Sequence, residues 1–290
     1  MAAEGSIFDL GYARYEGARL GRPAALRALF AYSVRAAFGL GRGIGAKIGP
    51  MGLTLVVAVP ALIQIAVSGL FRGEAEVIRA EDYYSYVRTI LAVFVAVVAP
   101  DLLMRDVRSN TIVLYFARPL ERTDYALVKL GTLATCLLFL TIGPQLLLFI
   151  GNALASPSIG DFLREEWDQL FPIIVSACVT ALVLAGVGGA IAVQTTRRVF
   201  AAVGILAFFL LAATFAVVIA ETVDAEGADY ALLASPFHLM SGATTWIFRA
   251  QPEGEIARAA LPGSLYFAAA LLWAAAGAAI VLRRFRSLKV

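Results

Sequence analysis

Six stretches of this chain are each long enough and apolar enough to cross a lipid bilayer, and that leaves few folds open. They run roughly over 48–70, 88–105, 129–152, 170–193, 199–220 and 263–282, against the ~20 residues that a helix needs to span a hydrocarbon core. In lipid, every backbone N–H and C=O needs a partner within the protein, so continuous apolar runs of this length span as helices. The expected fold class is all-α integral membrane, a six-transmembrane-helix bundle over 48–282. A 1–47 cytoplasmic or interfacial N-terminal region precedes it, and a basic tail, 283–290, comes after it. Apolar residues make up 60% of the 290 and charged residues 16%, against about 45–50% and 25% in soluble domains. An ordinary soluble globule is excluded.

The charges orient the bundle. Six spans put both chain ends on one side, and that side collects eighteen of the 24 Lys and Arg residues. They lie in 1–47, in the loop between the second and third spans, at Arg197 and Arg198, and in the tail. The other side keeps Arg72, Arg79, Arg88, Arg164, Arg249 and Arg258, with fourteen of the 21 acids. By the positive-inside rule both termini are cytoplasmic, and a plasma or inner membrane is the expected location. The first twenty residues hold Glu4, Asp9, Arg14, Glu16 and Arg19 and no apolar core of a signal peptide, so the chain start is expected to stay on the side of synthesis.

From Pro23 onward, Leu26, Leu29, Phe30, Val34, Ala37 and Phe38 recur at helical spacing with Arg35 opposite and Arg27 at the edge. This describes either an ordinary packed helix or one lying among the headgroups; basic residues beside a first span favour the second. GLGRGIGAKIGP (39–50) fails both phosphate-loop templates, since Lys47 follows Ala46 and no register yields G-x-G-x-x-G. It reads as a flexible hinge, and no ATP site is expected on this chain.

The most informative stretch links the second and third spans: PDLLMRDVRSNTIVLYFARPLERTDYALVK, 100–129. Asp106, Arg108, Asn110, Leu114, Tyr115, Arg118, Pro119, Arg122, Tyr125 and Lys129 form a pattern that resembles the corresponding loop of ABC-2-type transporter permeases. The resemblance implies a short cytoplasmic coupling helix over 106–122 that docks on a separate ABC ATPase subunit. On that reading Ile112, Val113, Tyr115 and Phe116 anchor it in a groove, Asp106 and Asn110 belong to the same surface, Arg108, Arg118 and Arg122 orient it on acidic rims, and Pro119 closes it. It further implies a second permease subunit, as a homodimer or homologous heterodimer meeting through the first and fifth spans. ATP and Mg are then bound by the partner ATPase, with no cofactor on this chain. The alternative for the basic residues is that they only hold the positive-inside orientation.

Few other residues carry chemistry. Asp101 is the one acid near a span that needs explaining, and Arg105 stands one turn on, in the acid-first order that stabilises a pair. An intramembrane ion pair is expected in preference to a proton or substrate relay, with a kink at Pro100. His238, the only histidine, has no convergent metal partners and reads as a polar face residue; no metal site is expected. Cys136 and Cys178 fall in apolar runs and read as packing residues. Tyr83, Tyr84 and Tyr86 read as an interfacial belt, as does Trp167 beside a short surface helix begun by Ser158 and Asp161. The apolar patch 235–248 is too short to span and is either partly re-entrant or a surface helix. Ala185 with Gly189 and Gly186 with Ala190 suit close helix approach, and Thr141 and Gln145 face a neighbouring helix or a pathway.

Two functions remain open. One is a permease subunit of an ATP-driven ABC-2-type transporter, exporting a hydrophobic or amphipathic substrate through the lipid bilayer. The other is a polytopic membrane enzyme or assembly factor without an ATPase partner, although no nucleophile-and-base pattern is present. No nucleic acid partner is expected. Orientation is directly testable in a cysteine-free background. Arg197→Cys and Arg283→Cys are expected to label from the cytoplasmic side, and Glu165→Cys and Glu226→Cys from outside. Labelling of position 226 only from within overturns the six-span arrangement.

Overall fold

In the computed structural model, residues 17, 20–70, 78–117, 119–223 and 227–288 are described, and among them the chain is helical with no strand. In chain order the helices are α1 (Gly21–Ala37), α2 (Ile44–Leu70), α3 (Tyr83–Arg108), α4 (Ile112–Phe116), α5 (Arg122–Ala155) and α6 (Ile159–Glu166). They continue with α7 (Leu170–Ala192), α8 (Arg198–Thr222), α9 (Pro236–Phe248), α10 (Gly254–Ala259) and α11 (Gly263–Arg286). Six of them, α2, α3, α5, α7 with its lead-in from α6, α8 and α11, are long and apolar enough to cross a membrane. Their ends run past the apolar limits read from the sequence, to Tyr83 in α3 and Arg122 in α5. A helix gains a backbone hydrogen bond per added residue, so polar termini prolong it beyond the apolar stretch.

α7 is the central span, packed against α3, α5, α8, α9 and α11. Its small residues are what permit this. A Cβ on Gly186 would lie 2.7 Å from the Ala274 carbonyl oxygen, and Gly277 of α11 faces the Gly186 backbone in turn. The two helices thus meet backbone to backbone, the contact that small residues at four-residue spacing allow.

α1 packs along the first half of α5 and against α3, burying Leu29, Ser33 and Ala37, with Arg22 at its start meeting Asp124 and Phe38 just past its end meeting Phe94 and Phe139. The glycine stretch after it is a hydrogen-bonded turn. Leu40 N–H donates to the Arg35 carbonyl at 2.8 Å, Arg42 N–H to that of Gly39 at 3.2 Å, and Gly39 and Gly41 hold the positive φ that reverses the chain. Pro100 sits inside α3 without ending it.

The tyrosine belt is corrected. Tyr83 and Tyr84 are buried in the bundle, with the Tyr83 hydroxyl donating to the Val57 carbonyl at 2.9 Å and the Ser176 hydroxyl donating to Tyr84 Oη at 3.4 Å; only Tyr86 of the three is exposed. A sequence shows aromatic rings near a span end but not which way they face, and here their hydroxyls have partners inside. Trp167 is exposed, and Ser158 Oγ accepts from Asp161 N–H at the start of α6. Gln145 donates to the Ala80 carbonyl at 3.0 Å, while Thr141 bonds back to Leu137 in its own helix. Cys136 and Cys178 are free thiols. Residues 1–16, 18, 19, 71–77, 118, 224–226, 289 and 290, which include Glu226, part of the N-terminal region and part of the tail, lie outside the described residues.

α9 is not a surface helix. Its residues Phe237 to Met240 and Gly242 to Thr244 are buried against α7 and α11 at the end of the bundle opposite α1. His238 is carried inward with them, and its Nδ1 has no hydrogen-bond partner among the described residues. Burial lowers its pKa below the ordinary 6.5, nearby Arg88 lowers it further, and Glu255 offsets part of this. The folded chain therefore resists protonation more than the unfolded chain does. Its contribution to stability is complete above about pH 6.5 and is lost as pH falls through the depressed folded value. Thermal unfolding in detergent is expected to show wild type losing more stability than His238→Gln between pH 7.5 and pH 5.5.

Candidate functional site

The stretch between α3 and α5 is built from a helix end, a single turn and a helix start, not from one helix over 106–122. α3 carries Asp106 and Arg108 in its last turns and stops because Asn110 takes a left-handed conformation, φ 56°. Asparagine is among the few non-glycine residues that favour this conformation at a helix end. α4 is then only Ile112–Phe116, and Arg122 already belongs to α5, which begins behind a cap at Glu121. Glu121 N–H donates to Asp124 Oδ2 at 3.1 Å.

Beneath the turn, three residues of the pattern converge. Asp106 is buried, with Lys129 Nζ 3.0 Å from its Oδ2 and the Tyr125 hydroxyl donating to the same oxygen at 2.6 Å. Lys129 also lies over the Tyr125 ring, 5.2 Å from its centroid. Tyr125 in turn is the hub of a ring cluster with Tyr115, Phe116 and Phe285 at 5.5, 6.1 and 5.4 Å between centroids. The position of this group is decided by helix periodicity: Tyr125 and Lys129 are four apart on one face of α5.

Two arginines of the pattern are engaged by the chain itself at the surface. Arg108 donates to Asp101 Oδ1 at 3.2 Å and to the Thr196 carbonyl at 3.3 Å, tying α3 to the loop before α8. Arg122 donates to the Leu288 carbonyl at 2.6 Å and the Arg286 carbonyl at 3.2 Å, capping the end of α11. Lone carbonyls at a helix C-terminus are natural acceptors for a guanidinium. Arg22 joins α1 to the α5 cap, donating to Asp124 Oδ1 at 2.7 Å with Glu121 3.3 Å away. The hydrogen bond to Asp124 raises the already high pKa of Arg22.

Several expectations are therefore corrected. The ion pair expected within the membrane joins Asp101 not to Arg105 but to the exposed Arg108 and Arg198, each at 3.2 Å. Arg105 has a buried Nη1 without a hydrogen-bond partner among the described residues. Ile112 is buried in the chain's own core, and Tyr115 and Phe116 pack on Tyr125, so these do not form an outward apolar face. That face is Val113 and Leu114, 51% and 68% exposed, with Pro119 also at the surface. Pro119 follows α4 after Ala117, which serves as its cap. Arg118 lies outside the described residues. Leu114 belongs to the pattern, but its exposure beside a buried Ile112 depends on how the turn docks, for which a five-residue helix has no readable period.

Among the described residues the chain is all-helical, with six helices long and apolar enough to span a membrane and a braced turn between the second and third of them. No protein-family model and no curated protein matches it.

Breaking a buried pair by removing one partner costs about 3–5 kcal/mol, because the remaining charge is left unpaired, whereas removing both charges costs far less. Lys129→Met is expected to lower unfolding stability by about that amount, and Asp106→Asn combined with Lys129→Met to restore most of the loss. Denaturant unfolding in a fixed detergent measures both.

Proposed function

We propose that this chain is the membrane-spanning permease subunit of an ATP-driven transporter of the ABC-2 type, working with a separate ATPase subunit. The observation that carries the reading is the turn at 112–116, where apolar Val113 and Leu114 stand exposed on a short helix whose other residues are held from behind. A docking element needs this combination, because a rigid support transmits force and an exposed apolar tip gives a partner something to bury.

On this reading nucleotide-driven closure of two ATPase subunits pushes on the turn. The push passes into α3 and α5 through Asp106, Tyr125 and Lys129. ATP and Mg belong to the ATPase, and this chain binds no cofactor and catalyses no reaction. Both termini are cytoplasmic, the membrane is a plasma or inner membrane, and α1 starts at its inner face and leans in along α5. Export of a hydrophobic or amphipathic compound fits the apolar outer faces of the spans. A second permease subunit meets the first through α2 and α8, where Leu55, Leu62, Val203, Leu211 and Phe215 are exposed; two half-sized subunits around a two-fold axis enclose a pathway.

Val113→Asp and Leu114→Asp test the reading directly. Both residues are exposed, so both variants are expected to insert and fold with unchanged thermal midpoints. Co-purification with the ATPase partner is expected to fall at least ten-fold, with loss of transport coupled to hydrolysis. Normal association and normal coupled transport by both variants would overturn the assignment, whereas Tyr115→Ala and Phe116→Asp act on the Tyr125 cluster and report on folding.

A further inference from the structure

A cavity of about 170 Å³ lies at the same end of the bundle as the turn, where α1, the start of α2, α3 and α5 meet. Four cationic side chains line it, Arg42, Arg105, Lys129 and Arg198, with two carboxylates, Asp101 and Asp106. The carboxylates are already engaged. Asp106 accepts from the Tyr125 hydroxyl and pairs with Lys129, and Asp101 pairs with Arg108 and Arg198. Arg42 and Arg105 are therefore in excess, without an ion-pair partner among the described residues. Arg105 Nη1 is moreover buried, with no acceptor among them.

The backbone adds to this charge. α2 begins at Ile44, and Gly45, Ala46 and Gly49 of its first turns line the same cavity. The start of a 27-residue helix carries the positive end of its dipole, though of its first N–H groups that of Ala46 already donates to the Gly43 carbonyl at 3.1 Å. Gly45 and Gly49 leave that backbone without side-chain cover. Two surplus guanidinium groups, one of them with a buried nitrogen, line the same space as a helix N-terminus, and that space holds several waters. A guanidinium out of water needs an acceptor, and a tetrahedral phosphoryl group supplies several at once in the fork geometry that arginine matches.

We propose that this cavity binds a phosphate-bearing anion, held by Arg105 and Arg42 and by the α2 N-terminus. The phosphate belongs either to a lipid headgroup or to a free anion; both present the same oxygens to the same groups. The site is independent of the transport reading, because it requires only the cavity and its charges.

The test uses the full-length chain, purified and delipidated. Native mass spectrometry with added phosphatidylglycerol, and with phosphatidylcholine as the net-neutral comparison, reads the lipid arm. Calorimetry with inorganic phosphate reads the free-anion arm. One arm is expected to show saturable binding by wild type, and Arg105→Gln and Arg42→Gln are each expected to weaken it at least ten-fold. Arg105→Lys is expected to retain part of it, and Arg258→Gln, at the other end of the bundle, all of it. Arg42 lies on the turn between α1 and α2, outside the packed helices, so its variant stays informative if Arg105→Gln unfolds. Retained phosphatidylglycerol that inorganic phosphate does not displace assigns a lipid headgroup; phosphate binding without retained lipid assigns a free anion. No binding of either probe by wild type, or binding unchanged in folded Arg42→Gln and Arg105→Gln, overturns the proposal.

Discussion

One buried ion pair holds the structure where its charges are densest. An aspartate and a lysine inside a helical bundle are tolerable only together, and the Asp106–Lys129 pair forces α3 and α5 into one register at the level where both leave the apolar core. The Tyr125 hydroxyl takes part of the carboxylate's remaining capacity, so the group is hydrogen-bonded as well as paired. The consequence is geometric. With the two helices fixed, the chain between Arg108 and Arg122 has a short gap to close, and a single turn after the left-handed Asn110 closes it. Phe285 brings α11 to the same ring cluster, and Arg22 brings α1 to the adjoining cap.

The two ends of the bundle solve the problem of polar groups differently. At the α1 end, charged side chains pair with one another or cap carbonyls, as Arg122 and Arg284 do for the segments around Leu288 and Val193. At the other end, Arg258 pairs with Glu221 at 2.6 Å at the surface, and inside it neutral groups bond to one another. Gln64 and Ser68 of α2 meet Asn152 of α5, and the Ile78 N–H donates to Gln64 Oε1 at 3.0 Å. Between them the core is apolar and close-packed, with α7 reaching its neighbours through glycine. Charge is concentrated where α3 ends and α5 begins, and the surplus of cations over acids there has a structural origin: Arg42 and Arg105 come from different elements and line one cavity.

The pattern over 100–129 singles out residues that matter to the fold, though mostly from the inside of the molecule. Asp106, Tyr125 and Lys129 form the internal brace, Asn110 ends a helix, and Arg108 and Arg122 cap neighbouring segments. A pattern with fixed spacing reports that a local structure is specified, and most of that specification here is internal. The proposed coupling role then rests on Val113 and Leu114, two apolar residues with no feature in the sequence to separate them from buried Ile112. The Asp101–Arg105 pair failed for a similar reason. Helical spacing makes a pair available, but Arg108 lies one further turn along α3 and Arg198 on α8, and these reach Asp101 in three dimensions.

The class of fold and the number of spans are legible in the amino-acid order alone, because a bilayer leaves a long apolar segment no choice but to pair its own backbone. Equally legible are the end that gathers the basic residues and the start of a surface helix at Ser158, since these depend on composition and on contacts a few residues apart. Which aromatic rings face inward, which arginine answers which carboxylate, and which two residues of the turn remain outside are settled by tertiary packing. Those outcomes depend on how helices rotate and cross. Burial at one contact sets the rotation for the whole helix, and no local spacing encodes it.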